Sequence, residues 1–304
     1  MDIKSRKRFL NSWQLYVMLM LPVLFLIIFH YIPMGGVIIA FKNYKPLKGI
    51  IKSDWVGFKH FIVFFKSYQF KRVLINTLRL SFYSLVAGFP IPIIFALSLN
   101  YVKNRTYKKT IQTIVYAPYF ISTVVMVSMI LQFLAPRRGF IAIIISYITG
   151  ESFDILAVPG LFDDIYVWSG VWQYMGFSSV IYIACLSGVS SELHEAAIVD
   201  GANKIVRIFK IDLPHILPTA IVLLILNLGQ ILNVGYEKVY LMQNALNLPF
   251  SEIISTYVYK IGLTSNIPQY SYSSAIGLFQ SFVGLILIVT VNKIANKIGD
   301  MGIW

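Results

Sequence analysis

The chain has 304 residues, of which 57% are hydrophobic and only 13% are charged, and its mean hydropathy is +0.71. A soluble domain carries about 25% charged residues, so this composition excludes a soluble globular protein. It also excludes disordered, collagen-like and coiled-coil chains. The formal charge of +13 would suit a nucleic-acid-binding protein, but the basic residues lie at the ends of apolar stretches, which favours a membrane surface as their partner. The sequence predicts an integral membrane protein.

The N-terminal segment resembles a signal peptide, because basic residues from Lys4 to Arg8 precede an apolar run. The run stays uncharged from Ser12 to Phe41, which is too long for a signal sequence, and it lacks a small-x-small cleavage site. We therefore predict that it is an uncleaved first membrane span.

A helix needs about 20 apolar residues to cross the hydrocarbon of a bilayer, and five further windows without Asp, Glu, Lys or Arg meet that length. They are Leu80–Asn100, Ile111–Ala135, Ile165–Val189, Ile216–Gly235 and Ser273–Asn292. The apolar segment Phe140–Thr149 is too short to span and is interpreted as an interfacial or re-entrant helix. The predicted fold is all-α with six transmembrane helices, in one membrane domain over residues 15–292 between tails at 1–14 and 293–304.

The distribution of Lys and Arg predicts the orientation, because positively charged loops stay on the cytoplasmic side. With six spans both termini share one side, where the tails and the second and fourth loops carry 13 basic residues, against 12 in the other three loops when Arg79, at the edge of the second span, is left out. Eight of those 12 lie in the first loop, between Lys42 and Arg72, so the count alone does not decide. We predict cytoplasmic termini because the first span usually dominates the orientation.

The spans lack the ionisable residues that proton- or sodium-coupled carriers use. They contain no Asp or Glu, and of the four His only His30 lies in a span, where packing is the ordinary role of an isolated His. The sequence has no HExxH, no paired Cys/His spacing and no Walker A loop, and its single cysteine, Cys185, excludes an intramolecular disulfide. We predict no catalytic residue, no metal site and no cofactor bound by this chain. A chain of this kind that pumps solute needs a partner to supply the energy.

The loop between spans four and five, residues 190–214, has the pattern of two short helices. Ser190 or Ser191 is suited to cap the first helix, and Gly201 is suited to end it in the left-handed conformation. Pro214 is predicted to end the second helix, because proline cannot continue the backbone hydrogen-bond ladder. The small side chains of Ala196-Ala197 allow another surface to approach the helix closely.

This loop resembles the EAA loop of binding-protein-dependent ABC importer permeases. Seven defining positions of that motif match, namely Glu195, Ala196, Ala197, Gly201, Ile211, Leu213 and Pro214. The resemblance covers most of the chain and implies the transmembrane fold of type I ABC importers. It also implies that the loop is a coupling helix, seated in a groove of a cytoplasmic ATPase, whose movement switches the pore between its two states. The alternative is an amphipathic cytoplasmic loop that merely contains Glu-Ala-Ala.

Further segments resemble the sugar-permease subgroup, and within it permeases for oligosaccharides released from polysaccharides. They are Asn76-Thr77, Gly235–Met242, Ser255–Leu263 and Trp304, although Asn247-Leu-Pro-Phe before Ser255 departs from the usual polar-acidic pattern. The resemblance implies a multi-pass protein of a bacterial cytoplasmic membrane that pairs with a second, different permease. Two cytoplasmic ATPase subunits would bind ATP and Mg²⁺, and an extracytoplasmic binding (lipo)protein would deliver the oligosaccharide.

Amide side chains in the fifth span are candidates for lining the solute pathway. Asn227, Gln230 and Asn233 are spaced three residues apart, which keeps them near one face of a helix. Amides supply both donors and acceptors for sugar hydroxyls, and hydrogen bonds between helices are the alternative role. Gln173 and Tyr174 in the fourth span are further candidates of the same kind.

Several residues beside these candidates have a structural interpretation. Gly170 and Gly176 are read as small residues that allow close helix packing. Arg79, at the edge of the second span, is predicted to extend to the membrane interface. Glu237 is interpreted as a solvated loop charge, with a pair to Lys238 or a gating role as alternatives.

Three other functions are alternatives to an oligosaccharide importer. The first is an ABC importer permease for another solute, such as an amino acid, phosphate or polyamine, which the sugar-subgroup segments disfavour. An ion-coupled secondary transporter is disfavoured by the absence of carboxylates in the spans. A membrane-embedded enzyme lacks a nucleophile–base or metal constellation in the sequence.

Overall fold

The structure is a computed structural model that describes residues 12–151 and 154–299. These residues fold almost entirely as helices, with one antiparallel pair of two-residue strands, so the predicted all-α architecture is confirmed. They group into two compact units, one of residues 12–66 with 258–279 and the other of residues 67–257 with 280–299. One membrane domain over residues 15–292 stays a prediction. The basic residues of the N-terminal tail and Trp304 lie outside the described residues.

The first unit is built on α1 (Trp13–Phe41), which covers the predicted first span. α1 contains a π turn and ends as a 3-10 helix. It is followed by β1 (Lys42–Asn43), α2 (Gly49–Lys52), β2 (Asp54–Trp55) and α3 (Lys59–Lys66), with Lys42 paired to Trp55 and Asn43 to Asp54. The rings of Phe41 and Trp55 stack with centroids 5.9 Å apart, which ties the strand pair to the end of α1.

The second unit holds the candidate site. Its helices are α4 (Tyr68–Gly88), α5 (Pro90–Asn100), α6 (Arg105–Tyr116), α7 (Thr123–Leu134), α8 (Phe140–Thr149), α9 (Pro159–Leu186), α10 (Ser191–Val199), α11 (Lys204–Arg207), α12 (Leu213–Gly229), α13 (Tyr236–Met242) and α14 (Leu248–Ser251). Two later helices contain residues of both units, α15 (Ile254–Tyr259) and α16 (Tyr270–Gly299).

Four helical runs among the described residues are long and apolar enough to cross a membrane: Trp13–Phe41, Tyr68–Asn100, Lys204–Gly229 and Tyr270–Lys297. Two bent pairs of helices raise the number to six when each pair is one span. These are Arg105–Phe120 with Thr123–Leu134, and Pro159–Leu186 with Ser191–Val199. The helices therefore supply the six predicted spans, and α8 is the short apolar helix predicted beside them.

The second span begins earlier than predicted, at Tyr68 rather than Leu80. Ser67 caps α4 by accepting a hydrogen bond from the N–H of Phe70 (3.2 Å). The N-terminal half of α4 contains arginines, so a span defined as a window without charged residues could not include it. Arg72 pairs with Glu252 and Arg79 pairs with Asp163. Arg79 was predicted to extend to the interface; its Nε instead lies 2.7 Å from Oδ2 of Asp163. Pairing makes the charges compatible with a helix inside the bundle.

The third predicted span is broken, since its two helices meet at 95°. Pro118 lies in a 3-10 turn after α6, and Ser122 is extended and caps α7, accepting a hydrogen bond from the N–H of Val125 (3.4 Å). The carbonyl of Ile121 at the break accepts a hydrogen bond from Nε2 of Gln173 (2.8 Å). A broken helix is tolerated in a membrane protein where neighbouring side chains satisfy the freed backbone groups.

The core of the second unit is organised by α9, which packs against α4, α5, α6 and α12. At Gly176 a Cβ atom would lie 2.3 Å from the carbonyl oxygen of Val115, so glycine is required where α9 meets α6. The close-packing interpretation of Gly176 is confirmed. Fully buried side chains of the adjoining helices, among them Leu80, Phe162 and Val239, complete this core.

Candidate functional site

The loop of residues 190–214 forms a short exposed helix with defined ends. The hydroxyl of Ser190 accepts a hydrogen bond from the N–H of Glu192 (3.2 Å) and caps α10. Gly201 follows α10 with φ +78°, so the left-handed conformation predicted for it is confirmed. Oδ1 of Asn203 then accepts a hydrogen bond from the N–H of Val206 (2.9 Å) and caps α11. The segment is therefore a preformed helix–turn–helix and not an irregular loop.

The predicted stop at Pro214 is wrong. The chain stays helical from Lys204 to Gly229, and Pro214 lies at the start of α12. A π turn over Ile208–Asp212 shifts the hydrogen-bonding register immediately before the proline. Since proline is tolerated in the first turn of a helix, the local change of register accommodates it. Ile211 and Leu213 are half-buried here, so the end of the motif is continuous with the fifth span.

Asp212 anchors the loop to the helices around it. Its carboxylate is fully buried, and Oδ2 accepts a hydrogen bond from the hydroxyl of Tyr101 after α5 (2.6 Å). Nε2 of His194 on α10 lies 3.3 Å from Oδ1, an ion pair when the imidazole is protonated. Burial, followed by the hydrogen bond to Asp212, raises the pKa of Tyr101 to about 12, which keeps the hydroxyl a donor. The guanidinium of Arg207 covers the Tyr101 ring at 5.5 Å.

This anchoring role of Asp212 was not predicted from the sequence. An acidic residue beside Leu213-Pro214 in an apolar stretch was a signal for it, because a buried carboxylate needs partners. The identity of those partners was not readable, since Tyr101 lies 111 residues from Asp212 in the sequence.

The outer surface of the loop carries apolar side chains that nothing in the described chain covers. Glu195 and Ala196 are exposed on α10, and Ala197 is half-buried. Leu193, Ile198 and Val199 are also exposed, Val199 at 87%. Such a cluster beside a small-residue helix face is suited to contact with another protein.

A cavity of about 830 Å³ lies between α4, α5, α9 and the end of α12. The predicted amides Asn227, Gln230 and Asn233 all belong to its wall. They do not lie on one helix face as predicted, because α12 ends at Gly229 and the chain continues in tight turns with Gln230 and Asn233. The turns nevertheless bring the three amides to the same cavity.

The amides form a connected set. Nδ2 of Asn233 donates to Oε1 of Gln230 (2.6 Å), and Nε2 of Gln280 on α16 donates to Oδ1 of Asn233 (2.7 Å) and to Oγ of Ser255 (3.1 Å). Gln280 was not predicted from the sequence. It is nevertheless an amide in an apolar helix, the same signal that marks the three residues of the fifth span. Amide groups of Asn227 and Gln230 lie at the cavity wall outside these hydrogen bonds.

The two candidates from the fourth span have different surroundings. Gln173 is 2% exposed and its Nε2 is engaged by the carbonyl of Ile121, so it supports the break in the third span. It is absent from the walls of the described cavities, whereas Tyr174 belongs to the wall of a second cavity of about 200 Å³.

The second cavity also carries Lys238, the third residue of α13. Lys238 is buried, its Nζ donates to the carbonyl of Tyr166 (2.9 Å), and the ammonium lies 4.8 Å from the centroid of that tyrosine's ring. Burial lowers the pKa of Lys238 to about 8. Glu237 is exposed, as predicted for a solvated charge, and a pair with Lys238 is not among the ion pairs of the described residues.

Asn76-Thr77, a segment quoted for the family resemblance, contacts the stretch of chain that leads into α15. Nδ2 of Asn76 donates to the carbonyls of Pro249 and Glu252, at 3.1 and 3.0 Å. The hydroxyl of Thr77 accepts a hydrogen bond from the N–H of Ile254 (2.9 Å). These buried bonds fix the segment before α15 against α4. Among the described residues there is no group of three or more His, Cys, Asp or Glu that could hold a metal ion.

The sequence matches the family model described as binding-protein-dependent transport system inner membrane component over residues 88–300. The chain is 44% identical to protein LplB of Bacillus subtilis (strain 168), over 97% of this chain and 92% of the relative. It is 40% identical to the polygalacturonan/rhamnogalacturonan transport system permease protein YteP of the same organism, over 99% and 94%.

A solved structure has the same fold. A chain in the crystal structure of a bacterial alginate ABC transporter, in complex with an alginate pentasaccharide-bound periplasmic protein, superposes with a TM-score of 0.88. The two chains are 38% identical, and the match covers 98% of this chain and 99% of the other.

Proposed function

We infer the function of this chain from its family: it belongs to the binding-protein-dependent transport system inner membrane components. It is a multi-pass membrane protein and a non-catalytic permease subunit of an ABC importer. We propose that the solute is an oligosaccharide derived from a polysaccharide. High identity to a polygalacturonan/rhamnogalacturonan permease and to a chain of an alginate transporter supports this assignment.

The observation that carries the proposal is the amide-lined cavity in the second unit. A volume of about 830 Å³ is within the range of small-molecule binding sites. Asn227, Gln230 and Asn233 offer donors and acceptors, as hydroxyl groups require. Phe177, also at the wall, offers an aromatic ring for the apolar face of a sugar. These residues would line the solute pathway, with Tyr174 beside them and Gln173 holding the adjacent break.

The proposed coupling site is the loop of residues 190–214. Glu195, Ala196, Ala197 and Gly201 lie on its exposed part, and Ile211, Leu213 and Pro214 continue into α12. Seated in an ATPase groove, α10 would transmit closure through the buried Asp212 anchor to α12 and so to the cavity. ATP and Mg²⁺ would be bound by the two ATPase subunits.

The remaining parts of the assembly are a second permease and an extracytoplasmic binding (lipo)protein. From Trp13 to Leu26, α1 has no buried side chain, so its apolar surface is free for lipid or for a second permease. With the coupling loop facing the ATPases, six spans would put both termini in the cytoplasm of a bacterial cell. The family's binding-protein-dependent character supports delivery of the solute from outside.

A second candidate is an importer permease for a small non-sugar solute. The chain is 26% identical over 225 residues to the sn-glycerol-3-phosphate transport system permease protein UgpA of Escherichia coli. The higher identity to the polygalacturonan/rhamnogalacturonan permease, over nearly the whole chain, favours oligosaccharides.

Affinity purification of the tagged chain from native membranes in mild detergent, with mass spectrometry, tests the assembly. A second six-span permease and an ATPase are expected to co-purify, and the reconstituted complex is expected to import oligosaccharides only with ATP. Transport by the chain alone without ATP would contradict the proposal and favour a secondary carrier. Import of glycerol phosphate in preference to oligosaccharides would favour the second candidate.

Two substitutions test the coupling loop. Gly201→Asp and Glu195→Lys are expected to uncouple ATP hydrolysis from transport. Gly150→Asp is the matched control, because Gly150 ends α8 with φ +77° and, like Gly201, has no atom within 4 Å of an added Cβ. Equal effects at Gly150 and Gly201 would mean that backbone strain, and not contact with the ATPase, causes the loss.

A further inference from the structure

Lys238 is a buried charge without an acidic partner among the described residues. It is 7% exposed, and the four ion pairs of the described chain do not include it. The two arginines of α4 differ in this respect, since Arg72 and Arg79 each pair with a carboxylate. Burying an ammonium group without a counter-ion costs free energy, and a purely structural role for the lysine does not explain that cost.

The ammonium group keeps binding capacity. A lysine has three N–H donors, and the protein engages one of them, through the carbonyl of Tyr166 (2.9 Å). The ring of Tyr166 contacts the ammonium at 4.8 Å but accepts no conventional hydrogen bond. Two donors therefore remain for an acceptor that the described residues do not provide.

The space beside the ammonium is kept open by a glycine. A Cβ atom at Gly170 of α9 would lie 3.4 Å from Nζ of Lys238, and no other atom comes within 4 Å of it apart from its own helix and chain neighbours. Gly170, Tyr174 and Ser178 line the cavity of about 200 Å³ whose wall includes Lys238. This wall combines a cation, hydroxyl groups and an aromatic ring.

The small cavity adjoins the amide-lined one. Both cavities have Ser84, Tyr166 and Ser178 in their walls. A chain-like solute that occupies the large cavity can therefore extend one residue towards Lys238. The hydroxyls of a sugar suit the amides, and a carboxylate suits the unpaired ammonium.

We propose that Lys238 binds a carboxylate of the solute, so that the transported oligosaccharides are acidic and carry uronate-type residues. This proposal rests on the proposed function and deepens it. The carboxylate accepts hydrogen bonds from the two unused N–H donors and supplies the counter-ion that is absent among the described residues. Tyr174, at the same wall, stacks against the sugar ring.

The test compares a uronate tetrasaccharide with its methyl ester, which differ in charge and not in length. ATP-dependent uptake of each is measured with the complete importer reconstituted with its binding protein. Wild type and Lys238→Met are compared with the same binding protein, so that its own selectivity cancels. The acid-to-ester ratio of uptake rates is expected to fall about 10- to 100-fold in the variant, as for loss of a charged hydrogen bond. Lys109→Met, which removes an exposed charge from α6, is expected to leave the ratio unchanged.

A second variant covers the case in which Lys238→Met does not assemble. Gly170→Ala adds a methyl group that meets only Nζ, and alanine favours a helix more than glycine does. It is expected to lower uptake of the acid and to spare the ester. An unchanged acid-to-ester ratio in either assembled variant, or wild-type uptake of the ester as fast as the acid, would overturn the carboxylate site and leave the oligosaccharide function standing. Uptake of neither compound by the wild-type assembly would overturn the carboxylate site, and uptake of no neutral oligosaccharide either would overturn the oligosaccharide function as well.

Discussion

Replacing Asp212 by alanine is the sharpest perturbation of the coupling loop. The buried carboxylate holds the hydroxyl of Tyr101 at 2.6 Å and the imidazole of His194 at 3.3 Å. A hydrogen bond to a charged group contributes about 1.5 to 3 kcal/mol, and the His194 contact adds less because that side chain is partly exposed. We expect α10 to lose about 2 to 3 kcal/mol of local stability, which raises the population of its detached state about 30- to 160-fold.

Hydrogen exchange monitored by mass spectrometry measures this directly in the purified importer. Amides of α10 are expected to exchange faster in Asp212→Ala, with α9 unchanged as an internal reference, and fewer solutes should be transported per ATP hydrolysed. Tyr101→Phe removes the hydroxyl alone and should produce part of the same effect. Normal protection of α10 in an assembled Asp212→Ala importer would refute the anchor.

Three further predictions concern packing, the amide set and the buried lysine. Gly176→Ala should destabilise the protein by about 1 to 3 kcal/mol, because its Cβ would lie 2.3 Å from a backbone oxygen of α6; Gly160→Ala on the same helix meets nothing within 4 Å and should melt like wild type. Gln230→Leu removes the acceptor for Asn233 and should slow oligosaccharide uptake about two- to tenfold with assembly intact, whereas an unchanged transport profile would leave that amide a purely structural role. The pKa of Lys238 falls from 10.5 to about 8 on folding, so between these values the unfolded chain binds more protons and stability rises with pH. Wild type should gain about 2 kcal/mol relative to Lys238→Met between roughly pH 7.5 and 9.5, and parallel melting curves of the two proteins would show that the lysine titrates normally.

The break in the third span illustrates what local patterns omit. The residues of this span are apolar throughout and predict a single helix. The presence of Pro118 alone does not show whether the helix is kinked or broken. At the 95° break, the freed carbonyl of Ile121 accepts a hydrogen bond from Gln173, which lies 52 residues away in the sequence. The continuity of the chain through Pro214 is a comparable case, because Asp212, the last residue of the π turn before it, is held by Tyr101, 111 residues away in the sequence.

The candidate site likewise contains residues that the sequence pattern identifies and others that it does not. Asn227, Gln230 and Asn233 were selectable because an amide in an apolar stretch is conspicuous, and all three belong to one cavity wall. Their supposed helix face was wrong, since α12 ends at Gly229. Lys238 was not selected, because a lysine just beyond a span is ordinarily solvated.

The sequence by itself determined the membrane class, the number of apolar helices, the two-helix pattern of residues 190–214 with its left-handed Gly201, and the polar residues of the fifth span. These follow from composition, from hydrophobic length and from residues whose backbone preferences act locally. Only the tertiary structure decided that Asp212 is anchored by Tyr101, that the amides surround a cavity and that Lys238 is buried with no counter-ion in the part of the chain that the structure describes. Burial and pairing depend on groups many residues apart, and the chain brings those groups together only when its helices pack.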